Sequence, residues 1–163
     1  MKVFVEEQKF TQWWLKIVLG IVALATLSPI LFYKENTIET TTPIIPLITV
    51  GVITVALVIG IFVVLKLKTR IDEQGIHYAF VPFHRKMRSI PWNSMSECKV
   101  RTYEPITEYG GWGYRITLGK NGKAFNVRGN KGIQITQTNN KRLLIGTQEP
   151  EKAQTVINRY FKS

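Results

Sequence analysis

The chain is short of the residue types from which most recognisable catalytic sites are built. Cys98 is the only cysteine in 163 residues, which excludes an intramolecular disulfide framework and suits a reducing compartment. The two histidines, His77 and His84, stand in no H-E-x-x-H pattern, and no C-x-x-C, P-loop or G-x-S-x-G stretch is present. The motifs therefore point to no catalytic residue, no metal, no cofactor and no identifiable small-molecule substrate. A noncatalytic role is the expectation.

Negative charge is also scarce. Against 22 Lys and Arg stand 11 Asp and Glu, for a formal net charge of +11. The imbalance is local, because residues 1–65 carry four charges of each sign while residues 66–163 carry 18 basic and 7 acidic residues. The second segment is large enough for one small core and too small for two. Its basicity raises the question of nucleic acid, but the charge is spread along the segment, so nucleic acid is not an expected partner.

Charge is missing altogether from Ile44 to Leu65, a run closed by the basic comb Lys66, Lys68 and Arg70. At about 1.5 Å per residue this length matches the ~30 Å hydrocarbon core of a bilayer, and cations beyond a span favour the cytoplasmic side. A second apolar run, Trp13 to Tyr33, carries Trp13 and Trp14 at one end and Tyr33 at the other, as in an interface belt. Ala23 and Ala25 also permit a signal-peptide reading, although the apolar run continues past them. The expectation is a membrane anchor over 1–65, with helices at about 13–33 and 44–65, followed by a cytoplasmic domain over 66–163. Lys2, Lys9 and Lys16 at the N-terminal flank, and only Lys34 between the spans, place both termini in the cytoplasm. This is the pattern of a multi-pass protein of a bacterial inner membrane. Ala56 and Gly60 have the spacing of a close helix contact, either within the chain or in a homodimer.

The basic segment reads as strands closed by one helix. Residues 76–83 and 87–92 flank the corner His84-Arg85-Lys86, and Asn121-Gly122 marks a hairpin because both turn residues tolerate positive φ. Ile133 and Ile135 alternate with polar neighbours before Asn139-Asn140, with 143–145 returning as a second hairpin. Ala153, Val156, Ile157, Tyr160 and Phe161 then share one helical face, with Thr147 expected as the N-cap. The predicted fold class is α+β: a two-helix transmembrane hairpin, then a small antiparallel β-barrel or sandwich of about seven strands capped by a C-terminal helix.

Ile90-Pro91-Trp92, Gly110-Gly111-Trp112-Gly113-Tyr114-Arg115, Gly132-Ile133-Gln134-Ile135 and Ile145-Gly146-Thr147 with Pro150-Glu151 are the phrases that carry a likeness to a known family. Taken together they resemble the bacterial PH-like (pleckstrin-homology superfold) domains attached to two-span membrane proteins of uncharacterised function, over about 66–161. The resemblance implies a binding or scaffolding module. It also implies that Lys86-Met87-Arg88 is similar in form to the Lys-x-Arg pattern with which phosphoinositide-binding relatives grip phosphates, although here the corner follows the second strand.

The candidate contacts for a lipid or partner are thus Arg85, Lys86 and Arg88, with Lys66, Lys68, Arg70 and Trp112. Each cation near an anionic leaflet contributes up to ~1 kcal/mol, so several on one corner amount to a surface anchor. Trp112 between glycines is either a contact, with Tyr109 and Tyr114, or a ring that closes the end of the sheet structure. The expected function is a protein-interaction or scaffold module at the cytoplasmic membrane surface. The alternatives are an anionic-lipid-sensing or envelope-maintenance component using the basic corner, and an accessory subunit of a transporter. Membrane lipids, a protein partner and a second copy of the chain are the expected partners.

Overall fold

The computed structural model describes residues 3–10, 13–31, 44–117 and 121–161. Contacts divide the chain into Thr11–Val64 and a second unit made of Met1–Phe10 and Leu65–Ser163. In the first unit, α1 (Trp13–Leu31) packs against α2 (Ile44–Val64). The close approach is at Gly51, where an added Cβ would lie 3.1 Å from Cβ of Thr26. A Cβ added at Gly60 of the expected Ala56/Gly60 pair would meet nothing within 4 Å among the described residues.

No helix among the described residues is long and apolar enough to cross a membrane. This corrects the two-helix transmembrane anchor, and with it the multi-pass inner-membrane placement with both termini cytoplasmic. The side chains of Trp13 and Trp14, the whole of Tyr33, and the segment around Lys34 lie outside the described residues, so the interface belt does too.

The second unit begins with a strand that sequence reading placed with the helices. β1 (Phe4–Lys9) pairs antiparallel with β2 (Lys66–Ile71), Phe4 opposite Ile71 and Lys9 opposite Lys66. β3 (Gly75–Val81) and β4 (Arg88–Pro91) complete a four-stranded sheet in the order β1-β2-β3-β4. A short 3-10 turn, Trp92–Ser94, leads to β5 (Met95–Thr102). Next come the short helix α3 (Pro105–Tyr109) and strands β6 (Gly113–Ile116), β7 (Lys123–Asn126), β8 (Lys131–Gln137) and β9 (Arg142–Gly146).

These last strands form a five-stranded sheet in the order β5-β8-β9-β7-β6. β6 and β7 pair across the Asn121-Gly122 corner and β8 with β9, both antiparallel, but β7 runs parallel to β9, with Lys123 opposite Leu143 and Phe125 opposite Ile145. Among the described residues the nine strands form two separate sheets and no closed barrel. This corrects the expected antiparallel barrel of about seven strands and the PH-like architecture. Turn signals report only sequential neighbours, whereas the parallel β7–β9 pair joins strands separated by all of β8.

The core lies where the sheets face each other. Leu67, Ile71, Ile76 and Phe80 of the first sheet and Phe125, Ile133, Ile135, Leu144 and Ile145 of the second are at most 1% exposed. α4 (Pro150–Tyr160) buries Ala153, Val156 and Ile157, the i, i+3, i+4 stripe that drives an amphipathic helix onto a sheet. Full burial of side chains the size of Val156 and Ile157 contributes about 1.5–3 kcal/mol each. At the far end of α4, Trp92 stacks on Tyr160 and Phe161 and donates its indole N–H to the Asp72 carbonyl at 2.9 Å.

β1 is tied in by polar bonds. Its buried positions are Phe4, Glu6 and Gln8. The Thr147 hydroxyl donates to Glu6 at 2.7 Å, the Gln148 N–H donates to the same carboxylate at 2.7 Å, and Gln8 donates to the Gly146 carbonyl at 2.7 Å. Thr147 is therefore held by Glu6, and the N-cap position of α4 is occupied by Glu149.

Candidate functional site

The predicted contact residues separate into three groups. Lys66 and Lys68 lie on the β1–β2 surface with Lys9, all three within 3.8 Å of the Glu7 carboxylate. Arg70 reaches the Asp72 carboxylate at 3.0 Å. Asp72 is buried and also accepts bonds from His77 at 3.0 Å and from the Gln74 N–H at 2.9 Å. Burial alone would raise its pKa, but the His77 hydrogen bond, the Gln74 N–H and the Arg70 charge hold the carboxyl below its ordinary range. The basic comb is thus matched by carboxylates.

Trp112 is half-buried, and its indole N–H donates to the Gly129 carbonyl at 2.9 Å. The Asn126 side chain accepts the Gly113 N–H at 2.8 Å. Gly110, Gly111 and Gly113 hold φ values of 73°, 116° and 112°, which an L side chain rarely adopts, and this lets the segment fold back between α3 and β6. These bonds place the tryptophan as the closure of that corner.

The corner His84 to Arg88 divides internally. Arg85 and Lys86 are exposed and form no ion pair among the described residues, whereas Arg88 opens β4 opposite Tyr78. His84 is 5% exposed and sits among the rings of Tyr78, Tyr114 and Phe125, with centroids 5.7, 5.9 and 5.2 Å away. Its Nδ1 accepts the Phe80 N–H at 3.2 Å, and its Nε2 has no partner among the described residues. Burial, then the positive charges of Arg88 and Lys123, push its pKa below the ordinary histidine value. The imidazole is the neutral Nε2–H tautomer, because Nδ1 is used as an acceptor.

Beside this ring cluster the second sheet opens a pocket of about 470 Å³, within the size range of small-molecule sites. Tyr78, Ile116 and Leu143 supply ring and aliphatic surface; Thr117, Lys123, Lys141 and Arg142 supply polar groups. None of its lining residues among those described is acidic. The parallel pairing of β7 and β9 accounts for the concentration of charge. Both strands start at the same end of the sheet, which brings Lys123 beside Arg142 and the turn residue Lys141. Gly122 is pressed onto the start of β9, since a Cβ there would lie 2.2 Å from the Arg142 carbonyl oxygen.

Arg88 joins this region through Tyr78 and His84, while Arg85, Lys86, Lys66, Lys68, Arg70 and Trp112 do not line the pocket. Lys123, Lys141, Arg142, Tyr78 and Thr117 were not selected from the sequence. A usable signal was present, because a lysine follows Asn121-Gly122 directly and Lys141-Arg142 follows Asn139-Asn140 directly.

Other chemistry has little to work with among the described residues. No group of three or more His, Cys, Asp and Glu that could hold a metal ion is found there. Cys98 is buried, and desolvation, aided by the Glu97 charge, pushes its thiol up to about 12, far from the thiolate a nucleophile needs. No protein-family model matches the chain and no curated protein matches it, which overturns the resemblance to bacterial PH-like membrane proteins.

Proposed function

We propose that this chain is a noncatalytic interaction module whose basic sheet unit holds an acidic partner. The observation that carries this reading is the pocket between the β6–β7 and β8–β9 turns, where Lys123, Lys141 and Arg142 converge with no acidic residue in the lining. Lys123 and Lys141 form no ion pair among the described residues. Their charge is available to a ligand. Like charges gathered in one place raise the local potential and speed the arrival of an anion. The exposed corner Arg85-Lys86 extends basic surface beyond the pocket.

Binding of a fluorescein-labelled octa-aspartate by the full chain, followed by anisotropy at low salt, tests the reading. Saturable binding is expected, weakened at least tenfold when Lys123 and Lys141 are both changed to Glu. Changing Arg85 and Lys86 to Glu is expected to weaken it less. Absence of saturable binding, or an equal loss in both variants, overturns it.

A further inference from the structure

We infer that the corner between β3 and β4 is a docking surface for an anionic lipid layer. Arg85 and Lys86 do not line the pocket, so this contact is independent of the ligand held there.

Three observations lead there. The first is what the corner exposes. Phe83 is 61% and Met87 46% exposed, and between them Arg85 and Lys86 are exposed and form no ion pair among the described residues. Large apolar side chains gathered at one exposed point mark a contact with another apolar phase. An acidic peptide would answer the two cations and leave Phe83 and Met87 in water. An anionic leaflet answers both, with charged headgroups at its surface and the acyl boundary within about 5–10 Å of depth.

The second is how firmly the corner is held. His84 is its buried foot: the His84 N–H donates to the Phe80 carbonyl at 2.8 Å, and Nδ1 accepts the Phe80 N–H at 3.2 Å. The Phe83 ring stands edge-on to Tyr114 at 5.5 Å and lies 6.0 Å from Phe80. The tips are thus presented in place, which lowers the ordering cost of a contact. Arg88 interacts with Tyr78 instead, so the contact unit is Phe83, Arg85, Lys86 and Met87.

The third is position. The corner leaves β3 at Val81, whose register partner is Lys66, itself opposite Lys9. Lys9, Lys66 and Lys68 share the Glu7 carboxylate, so this end of the first sheet keeps an excess of positive charge. That sign complements an anionic surface, and a contact in the interfacial layer requires no spanning helix.

An NBD fluorophore on Met87→Cys of the full chain reads the contact, because Cys98 is buried and its thiol, pushed up to about 12, stays unlabelled near neutral pH. Vesicles of phosphatidylcholine with about 30% phosphatidylglycerol are expected to brighten the label at least twofold and shift it to the blue, while phosphatidylcholine alone leaves it in water. Salt at about 0.5 M is expected to remove most of the change. Arg85→Gln/Lys86→Gln and, separately, Phe83→Ser are each expected to raise the lipid concentration needed for half the change at least fivefold; the lysine–arginine variant decides the matter if Phe83→Ser disturbs the turn. An equal response to neutral vesicles, or an unchanged response in that double variant, overturns the proposal. So does association of the chain with anionic vesicles while the label stays in water, since another surface then makes the contact. If octa-aspartate moves the label and anionic vesicles do not, the corner holds an acidic protein segment and the lipid assignment falls. The pocket stands or falls separately, on octa-aspartate binding in the Lys123 and Lys141 variants.

Discussion

Two groups of cations on the five-stranded sheet and its turns meet opposite fates. Arg101, on β5, is closed off by Glu108 of α3 through contacts of 2.6 and 3.1 Å, and Glu108 also accepts the Glu104 N–H at 2.8 Å. Each side chain of the pair is about one quarter exposed. Lys123 and Lys141 line a pocket with no acidic residue among its described lining, and neither forms an ion pair among the described residues. Where a basic residue meets one of the scarce acids, its charge fixes an element in place; these two lysines keep theirs for a ligand.

The largest test of this contrast is to cut the matched pair. Glu108→Ala is expected to cost about 2–3 kcal/mol, since it strips a partly buried guanidinium of its partner and frees the start of α3. Urea denaturation of the full chain, analysed on the signal of the sheet unit, measures it. A double-mutant cycle with Arg101→Ala is expected to return a clearly non-additive coupling. A loss below about 0.5 kcal/mol would place Arg101 with the surface charges and erase the distinction.

The pair also predicts a dependence on acid. The hydrogen bonds from Arg101, against a smaller opposing contribution from burial, hold the Glu108 carboxyl below its ordinary value of 4.5. A depressed folded-state pKa means the stabilisation is complete above about 4.5 and is lost as pH falls through the folded value. Denaturation midpoints for Glu108→Gln are expected to decline less steeply than those of the parent chain below about pH 4.5.

His84 works in a different window. Its folded pKa lies below the ordinary 6.5, so between the two the unfolded chain takes up a proton that the folded chain refuses. Stability is expected to be full above about pH 6.5 and to fall as pH drops from there toward the folded value. His84→Asn keeps an acceptor of similar reach for the Phe80 N–H and is expected to lose that part of the slope. Midpoints at pH 7.5 and 5.5 distinguish the two chains.

The smallest effect is expected at the pocket. Lys123→Gln and Lys141→Gln each remove an exposed charge with no ion pair among the described residues, so stability is expected to stay within about 0.5 kcal/mol, or to rise as like-charge repulsion is relieved. A larger loss in thermal denaturation would mean that these cations hold the fold, and the contrast with Arg101 would collapse.

Legibility followed the range of each interaction. The Asn121-Gly122 hairpin and the apolar face of α4 could be read because their determinants lie within a few residues of one another. β1 could not, since two of its three inward positions are Glu6 and Gln8, which give no apolar alternation until Thr147, Gln148 and Gly146 are brought beside them. The basic comb drew notice as a run along the chain. In three dimensions its members pair with Glu7 and Asp72, while the cations that share a pocket stand at two separate turns.

What the sequence determined by itself was an inventory: an excess of positive charge confined to residues 66–163, a scarcity of groups for catalysis or metal binding, two long apolar runs, and the local turn and helix signals. Tertiary structure alone decided which charges are matched, that β1 belongs to the first sheet, and that β7 lies parallel to β9 so that Lys123, Lys141 and Arg142 converge. The physical reason is that hydrogen-bonded turns and helical periodicity act over a few residues, whereas a parallel strand pair and an ion pair depend on segments far apart in the chain and leave no local mark.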